Sequence, residues 1–177
     1  KPFGFQAFYP GPGVGGHCIP IDPNYLSYKV RAQLGYPFRF VELAQEINQG
    51  MPRYVVQRVQ DLLNDHGQAL NGAGVLLLGV TYKPNIADQR ESPATDVGAG
   101  FLAKGAVLSY HDPHVPKWRV DGRTLHCEPD RLEAVAAADV VVLLQNHASY
   151  DTTAIATAAR LFFDTRGVAS GPRVQAL

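Results

Sequence analysis

Residues 75–80, Val-Leu-Leu-Leu-Gly-Val, form the apolar run that most limits the folds open to this chain. Runs of this length without polar alternation are typical of strands covered on both faces, as in parallel sheets. Three further strand patterns follow, each after a helical pattern. The predicted helices are 94–104, 132–138 and 152–160, and the predicted strands are 106–111, 139–144 and 161–164. Four alternations predict an α/β fold, a parallel sheet with helices on both faces.

The first third of the chain has a different pattern and predicts a helical segment. Residues 1–23 are rich in glycine and proline and predict a shaped loop. Helices are expected at 24–34 and at 41–62, where apolar residues spaced by three and four predict one buried face. Pro52 inside the longer stretch predicts a kink or the meeting of two helices. We therefore expect two parts, 1–66 and 67–177.

The charge balance and the cysteine content indicate which binding partners and which cellular compartment to expect. Lysine plus arginine and aspartate plus glutamate number 16 each, which argues against a nucleic acid or a membrane surface as partner. No apolar run approaches the ~18 residues that a membrane span needs. Cys18 and Cys127 lie far apart in unlike surroundings, which predicts a reducing compartment, the cytoplasm. The chain opens at Lys1 without methionine or a leader pattern, and this predicts a fragment.

Cys18 is the candidate nucleophile of the chain. It follows a loop of small residues, has His17 beside it and Asp22 four residues on, and a thiolate needs such polar surroundings and free backbone N–H groups. The competing interpretation is an inert buried cysteine, although a glycine-rich loop is a poor place to bury one. Cys127 lies in a strand-like segment without a special loop, so we expect it to be inert.

Two sets of residues suit a phosphate ligand. The glycines at 11, 13, 15 and 16 can present backbone N–H groups to an anion, although a plain Gly-Pro turn explains them too. Lys83 and Arg166 follow strand patterns and so belong at the mouth of the sheet, where open parallel sheets bind ligands. The turn after the first strand lacks the glycine pair for a dinucleotide, so the unit is Rossmann-like without that fingerprint.

Two polar clusters have simple structural explanations. Asp88 and Arg90, just before a helix start at Ser92, fit a surface ion pair beside a cap as well as a binding role. His111, Asp112 and His114 are metal-ligating residue types, but the cluster is small and fits a solvated turn better. No metal site is predicted.

Three separated motifs, at 8–23, 79–85 and 88–93, together with Asp164-Thr165-Arg166, resemble the UDP-glucose/GDP-mannose dehydrogenase family over essentially the whole chain. The segment His-Cys-Ile-Pro-Ile-Asp-Pro at 17–23 is similar to the branch that oxidises UDP-N-acetylhexosamines. The opening residues 1–10 favour UDP-N-acetyl-D-glucosamine, with UDP-N-acetyl-D-mannosamine as the alternative. The resemblance implies a C-terminal fragment, with part of the central helical domain followed by the UDP-binding domain.

The same resemblance implies an activity and a set of site residues. NAD would oxidise the sugar C6 hydroxyl twice to a carboxylate, through a thiohemiacetal and a thioester on Cys18, with Asp22 positioning or activating water. The residues implied to contact the sugar and phosphates are Tyr9, Pro10, Gly11, Pro12, Gly13, Val14 and Gly15. UDP would be held by Tyr82, Lys83 and Arg166. NAD would be contacted by Arg90 and the backbone of Cys18, Ile19, Pro20 and Ile21.

The resemblance also implies what this chain lacks. The family's N-terminal dinucleotide-binding domain is missing, so the isolated chain is expected to be inactive. Members dimerise through the long connecting helix, which predicts a homodimer or higher homo-oligomer, and Lys1 stands near a position that reaches a neighbouring subunit's substrate. The whole enzyme would serve surface-polysaccharide synthesis. The alternative is a non-catalytic fragment that binds UDP-sugar or mediates dimerisation.

Overall fold

The computed structural model describes residue 4 and residues 8–177. Lys1 and most of the opening segment used above to choose between hexosamines therefore lie outside the described residues. The helices are α1 (Asp22–Leu34), α2 (Arg39–Asp65), α3 (Pro93–Ala103), α4 (Arg131–Ala137) and α5 (Thr152–Ala158). The strands are β1 (Gly74–Leu78), β2 (Val107–His111), β3 (Lys117–Val120), β4 (Arg123–His126), β5 (Val140–Leu143), β6 (Phe162–Asp164) and β7 (Val174–Ala176).

Five parallel strands form the central sheet in the order β2-β1-β5-β6-β7. The apolar run predicted as the first strand is β1, and it pairs with β2 on one side and β5 on the other. After β1 the chain adds β2 on one side of it, and it then crosses to the other side of β1 to add β5. Such a reversal opens a crevice at the carboxyl ends of the two strands, where ligands of open parallel sheets bind.

Helices cover both faces of the sheet, as predicted. Alternate residues of β1 enter two different apolar cores: Leu77 packs with α2 and α3, whereas Leu76 packs with α4 and α5. All strand residues from Val75 to Leu78 are at most 1% exposed. The lack of polar alternation in the sequence is thus explained, because each side of the strand faces a hydrophobic layer.

The strands β3 and β7 were missed from the sequence, and β4 was identified only as a strand-like segment beside Cys127, without its partner. β3 and β4 form an antiparallel hairpin joined by Asp121 and Gly122, both at positive φ. An Asp-Gly pair between two segments of alternating apolar and polar residues is a known hairpin signal. On β3 the Trp118 side chain faces the core and is 1% exposed. β7 is a three-residue edge strand that pairs with β6. It is too short to show a hydrophobic pattern in the sequence.

Helix α2 is one uninterrupted element across Pro52, so of the two alternatives expected there, a kink or a junction of two helices, the junction is excluded. Its predicted buried face is buried only in part. Val55, Val59 and Leu63 are fully buried against the sheet layer, but Ile47, one turn before Pro52, is 59% exposed. The reason is position, since the sheet and α3 lie against the C-terminal half of the helix while the N-terminal half packs on α1.

Within the described part of the chain, none of the helices combines the length and the apolar character needed to cross a lipid bilayer.

Candidate functional site

The glycine-proline loop lies across the sheet crevice and is held from two sides. The Val14 N–H donates to Asn48 Oδ1 at 2.7 Å, and Asn48 Nδ2 returns a bond to the Val14 carbonyl at 3.3 Å. A Cβ on Gly11 would stand 2.9 Å from Arg166 Nη1. The loop is therefore fixed to α2 through Asn48 and reaches the cation that follows β6. Sequence reasoning did not identify Asn48, because its helical position gives no signal of a loop partner.

Gly15 is the tightest contact between this loop and the sheet domain. A Cβ built there would collide with the Glu91 carbonyl oxygen and stand 2.9 Å from Tyr82 Cβ. The His17 and Tyr82 rings lie next to this point, with 6.3 Å between their centroids. The loop that carries Cys18 thus rests on the turn after β1, and only a glycine permits that approach.

We predict that Gly15→Ala moves the loop off Tyr82, because the Glu91 carbonyl that it meets is backbone and cannot rotate away. The affinity for the UDP-sugar that the sequence resemblance implies should fall roughly tenfold, since the loop is then no longer held in its binding geometry. Titration calorimetry measures the loss. Gly50→Ala is the matched control, because no atom lies near its Cβ position in α2, and there alanine should stabilise the helix by up to about 1 kcal/mol. Equal affinity in both variants would contradict the prediction.

Arg166 follows β6, and its side chain reaches the segment after β5, at the edge of the crevice, where it is held in place. Its Nε donates to the Leu144 carbonyl at 2.7 Å. The residue is half-buried, and burial lowers the pKa of its guanidinium while the nearby Asp164 carboxylate acts to raise it. A guanidinium fixed at a strand end and partly desolvated is suited to recognising a phosphate group.

Asp164 shapes the turn that presents Arg166. One carboxylate oxygen accepts the N–H groups of Arg166 and Gly167, at 2.7 and 3.1 Å. The other accepts those of Val168 and Ala169, both at 2.7 Å. The side chain has no solvent exposure. Its place before Thr165-Arg166 was noted in the sequence, but its role was missed, although an aspartate that bonds the backbone N–H groups following it is a known local turn signal.

A cleft of about 940 Å³ opens beside this point, between the loop, α2 and the start of α3. It brings together several predicted site residues, namely Tyr9, Pro10, Gly11, Gly13, Val14, Ile19, Pro20 and Arg166. Other predicted residues stand elsewhere. Pro12 is buried, Gly15 packs on Tyr82, and Lys83 is exposed on the turn after β1.

Cys18 is exposed, as expected for an approachable sulfur. Its carbonyl accepts the N–H groups of Ile21 and Asp22, at 3.0 and 2.8 Å, and this turn starts α1. Asp22 is the first residue of that helix and is exposed. The thiol and the carboxylate therefore flank one rigid turn, with the apolar side chains of Ile19 and Ile21 also exposed.

Cys127 differs from Cys18 in every respect. It is half-buried, and its Sγ contacts the backbone of Asp112, 3.4 Å from both the amide and the carbonyl. Burial, together with the charges of Asp112 and Glu128, raises the pKa of its thiol. These surroundings suit the expected inert role, since thiolate formation is disfavoured there.

Arg90 and Asp88 form the surface ion pair expected as one alternative. Arg90 Nη2 lies 2.7 Å from Asp88 Oδ2, and hydrogen bonds from Arg90 lower the pKa of Asp88 to about 2. Ser92 caps α3 by accepting the Ala94 N–H at 3.3 Å. The Arg90 side chain is nonetheless 70% exposed, so its outer edge is open to an anion.

Among residues 8–177 no three metal-ligating side chains meet in a cluster. Of the three residues weighed as a metal site, Asp112 pairs instead with His147, Nε2 to Oδ2 at 3.1 Å. His147 was missed from the sequence, although a polar residue just beyond a buried strand is a usable signal of a site.

Comparison with known sequences identifies the family of the chain. Residues 76–171 match the profile of the UDP-glucose/GDP-mannose dehydrogenase family, UDP binding domain, and residues 1–50 match the family's central domain. The chain belongs to this family. The predicted family and the predicted α/β class with its parallel sheet are both confirmed.

Individual relatives agree with the family profiles. The chain is 36% identical over 141 residues to UDP-N-acetyl-D-mannosamine dehydrogenase of Methanococcus maripaludis, covering 80% of this chain and 30% of that protein. It is 33% identical over 175 residues to NDP-N-acetyl-D-galactosaminuronic acid dehydrogenase of Ralstonia solanacearum, and the match covers 94% of this chain and 38% of that protein. The crystal structure of NDP-N-acetyl-D-galactosaminuronic acid dehydrogenase from Methanosarcina mazei superposes on this chain with a TM-score of 0.82 at 26% identity. The superposition covers 97% of this chain and 39% of that one. The chain thus spans about a third of the length of its relatives.

Proposed function

We propose that this chain is the C-terminal part of an NAD-dependent nucleotide-sugar 6-dehydrogenase acting on a UDP-N-acetylhexosamine. The observation that carries the proposal is the contact of Gly11 with Arg166. It sets the glycine loop of the central domain over the ligand crevice of the UDP-binding domain. A sugar nucleotide bound there would have its phosphates beside a fixed guanidinium and its sugar along the loop that leads to Cys18.

The proposed roles are those that the family resemblance implies, although Tyr82 and Lys83 lie on the turn after β1 and do not line the cleft. Arg166, with Lys83 and Tyr82 on the neighbouring turn, binds the UDP. The loop residues Tyr9, Pro10, Gly11, Pro12, Gly13, Val14 and Gly15 enclose the sugar and phosphates. The Val14 N–H is donated to Asn48, and the backbone N–H groups of Gly11, Gly13 and Gly15 are those that suit the anionic diphosphate, because glycine has no side chain to cover them.

Cys18 is the proposed nucleophile for the second of two oxidations. The C6 alcohol first loses a hydride and a proton to become an aldehyde, and the Cys18 thiolate adds to that carbonyl. Loss of a second hydride converts the thiohemiacetal into a thioester. Water, which Asp22 positions or activates, then hydrolyses the thioester, so that the acid is released and the thiolate restored. Two hydrides leave and one water enters for each sugar.

NAD, when bound, accepts the two hydrides. The described residues fit such a cofactor at the rim of the site: Arg90 offers an open guanidinium edge to a phosphate, and the exposed Ile19 and Ile21 flank Cys18 with apolar surface. The backbone of Cys18, Ile19, Pro20 and Ile21 would line that approach. The glycine fingerprint of a dinucleotide fold does not follow β1, so we assign the principal NAD-binding surface to a separate N-terminal domain.

The identity of the hexosamine stays a prediction. The sequence favours UDP-N-acetyl-D-glucosamine, while the relatives described above are named for the mannosamine and galactosaminuronic compounds. A steady-state comparison of kcat/KM for UDP-N-acetyl-D-glucosamine and UDP-N-acetyl-D-mannosamine, in a chain extended to the length of the relatives, decides between the two candidates.

The remaining elements of the proposal concern assembly and setting. We propose a division near 66/67 between the central and UDP-binding parts, and a homodimer or higher homo-oligomer. The exposed apolar side chains of α1 and the start of α2 support an interface there, namely Tyr25, Leu26, Tyr28, Phe40, Leu43 and Ile47. The enzyme would act in the cytoplasm in surface-polysaccharide synthesis. Without the N-terminal domain, this chain should produce no NADH.

The first test is calorimetric titration of the chain with UDP and UDP-N-acetylglucosamine, with Lys83→Ala as the variant. Loss of a charged contact to phosphate should weaken binding at least tenfold, or about 1.4 kcal/mol. Lys117→Ala, at an exposed lysine on β3, is the matched control and should bind like the unmodified chain. Failure of the unmodified chain to bind UDP, or equal binding by all three proteins, would contradict the assignment of the nucleotide site.

A further inference from the structure

The ends of three neighbouring strands are tied together by a buried pair, Asp112 and His147. Asp112 follows β2 and His147 follows β5, and neither side chain has any solvent exposure. Asp112 Oδ2 accepts His147 Nε2–H at 3.1 Å and the Val80 N–H at 2.8 Å. Its other oxygen accepts the His114 N–H at 2.9 Å. The pair therefore joins the segments after β2 and β5 to the segment after β1.

The hydrogen bonds also fix the tautomer of His147. The Asn85 N–H is a donor and lies 3.0 Å from His147 Nδ1. Nδ1 must accept, so it carries no proton, and the proton of the neutral ring is on Nε2, which faces Asp112. The pKa of Asp112 lies below its usual value: burial acts to raise it, but the bonds from His147, His114 and Val80 outweigh that effect. The carboxylate is thus kept ionised as the acceptor that this arrangement needs.

The segment held in this way carries two of the proposed UDP ligands. Val80 at its start is bound by Asp112, and Asn85 at its end is bound by His147. Asn85 Oδ1 also accepts the Ala148 N–H at 2.8 Å, so the contact is reciprocal. Tyr82 and Lys83 lie between the two fixed points. Tyr82 is half-buried under the loop at Gly15, and its N–H donates to the Asp88 carbonyl at 3.2 Å. The Lys83 side chain is exposed, so its position depends on the backbone of the turn.

We propose that His147 and Asp112 are positioning residues of the nucleotide site, which hold the turn at 80–85 so that Tyr82 and Lys83 meet the UDP. The proposal rests on the proposed function for the roles of Tyr82 and Lys83. Neither member of the pair touches the nucleotide. The pair acts by removing the freedom that the turn would otherwise lose on binding.

Two variants of His147 separate positioning from simple support of the fold. The asparagine Oδ1 occupies the place of Nδ1, so His147→Asn keeps the acceptor for Asn85 and loses the donor to Asp112. The glutamine amide reaches the place of Nε2, so His147→Gln keeps the donor and leaves the Asn85 N–H unpaired. Both variants lose one buried hydrogen bond and should lower the melting temperature.

The affinity for UDP should separate them. By calorimetry, His147→Gln should bind UDP about tenfold more weakly than the unmodified chain, because the Asn85 N–H, two residues after Lys83, loses its acceptor. His147→Asn should stay within about threefold, because that contact remains. Loss of affinity that follows the melting temperature in both variants alike would overturn the proposal.

A readout without ligand keeps this proposal separate from the proposed function. Nitrogen-15 spectra of the unliganded chain should show His147 protonated on Nε2 and bare on Nδ1, and the Asn85 amide should exchange slowly with solvent. His147→Gln should speed that exchange, and His147→Asn should not. A chain that fails to bind UDP but shows this pattern would contradict the proposed function and leave the positioning role supported. A ring protonated on Nδ1 would overturn the positioning role itself.

Discussion

Replacing Cys18 by serine should abolish conversion of the sugar to its acid, in a chain extended to the full length of the family's members. A hydroxyl does not form the thioester, and it is a far weaker nucleophile at neutral pH than a thiolate. We expect the rate of acid formation to fall at least about a thousandfold, as is typical when an enzyme loses its nucleophile. NADH production, followed by absorbance, and product analysis by mass spectrometry measure the loss.

The matched control for this substitution is Cys127→Ser. Cys127 is half-buried and its thiol pKa is raised by burial, so serine there should cost some stability and leave turnover nearly unchanged. UDP binding should persist in the Cys18 variant, because Cys18 is on the exposed turn before α1, whereas Arg166 lines the cleft and Cys18 does not. Retention of full acid production by Cys18→Ser would remove Cys18 from the chemistry.

Replacing Asp164 by asparagine should be the most damaging single change to the UDP-binding part. The amide would place an NH2 group against two backbone N–H donors that the carboxylate now accepts, in a site with no solvent exposure. Unsatisfied buried donors and the lost charge should cost about 3 kcal/mol, a fall in melting temperature of roughly 6–12 °C. UDP affinity should fall with it, because Arg166 begins this turn.

Asp151→Asn gives the matched control for Asp164→Asn. Asp151 caps α5 by accepting the Thr153 and Ala154 N–H groups at the protein surface. Asparagine caps a helix about as well as aspartate, so the melting temperature should change little. Differential scanning calorimetry compares the two variants, and an equal effect of both would show that the buried turn of Asp164 is not specially stabilising.

The sheet was predictable from the sequence because its signal is local. The unbroken apolar run of β1 and the similar strand β5 can be buried only between two layers, and the structure buries each of them completely. The hairpin of β3 and β4 was predictable in principle from Asp121-Gly122. β7 was not, since three residues at a sheet edge carry too little pattern to stand out.

Helix α2 shows where a local signal misleads. Apolar spacing predicted one buried face along 41–62, yet the structure buries Val55 and Val59 and leaves Ile47 exposed. Periodicity shows that a face is apolar, but not what covers it. Pro52 likewise predicted a kink or the meeting of two helices, and α2 continues across it as one element whose C-terminal half packs in the core.

By itself the sequence determined the α/β class, the parallel sheet, the family and the candidate nucleophile Cys18, because hydrophobic runs and contiguous motifs are properties of neighbouring residues. Only the tertiary structure decided which distant groups meet. It placed Gly11 against Arg166 and paired Asp112 with His147. Each of these contacts joins segments far apart in the chain, and no spacing along the sequence encodes the hydrogen bonds that burial makes obligatory between such segments.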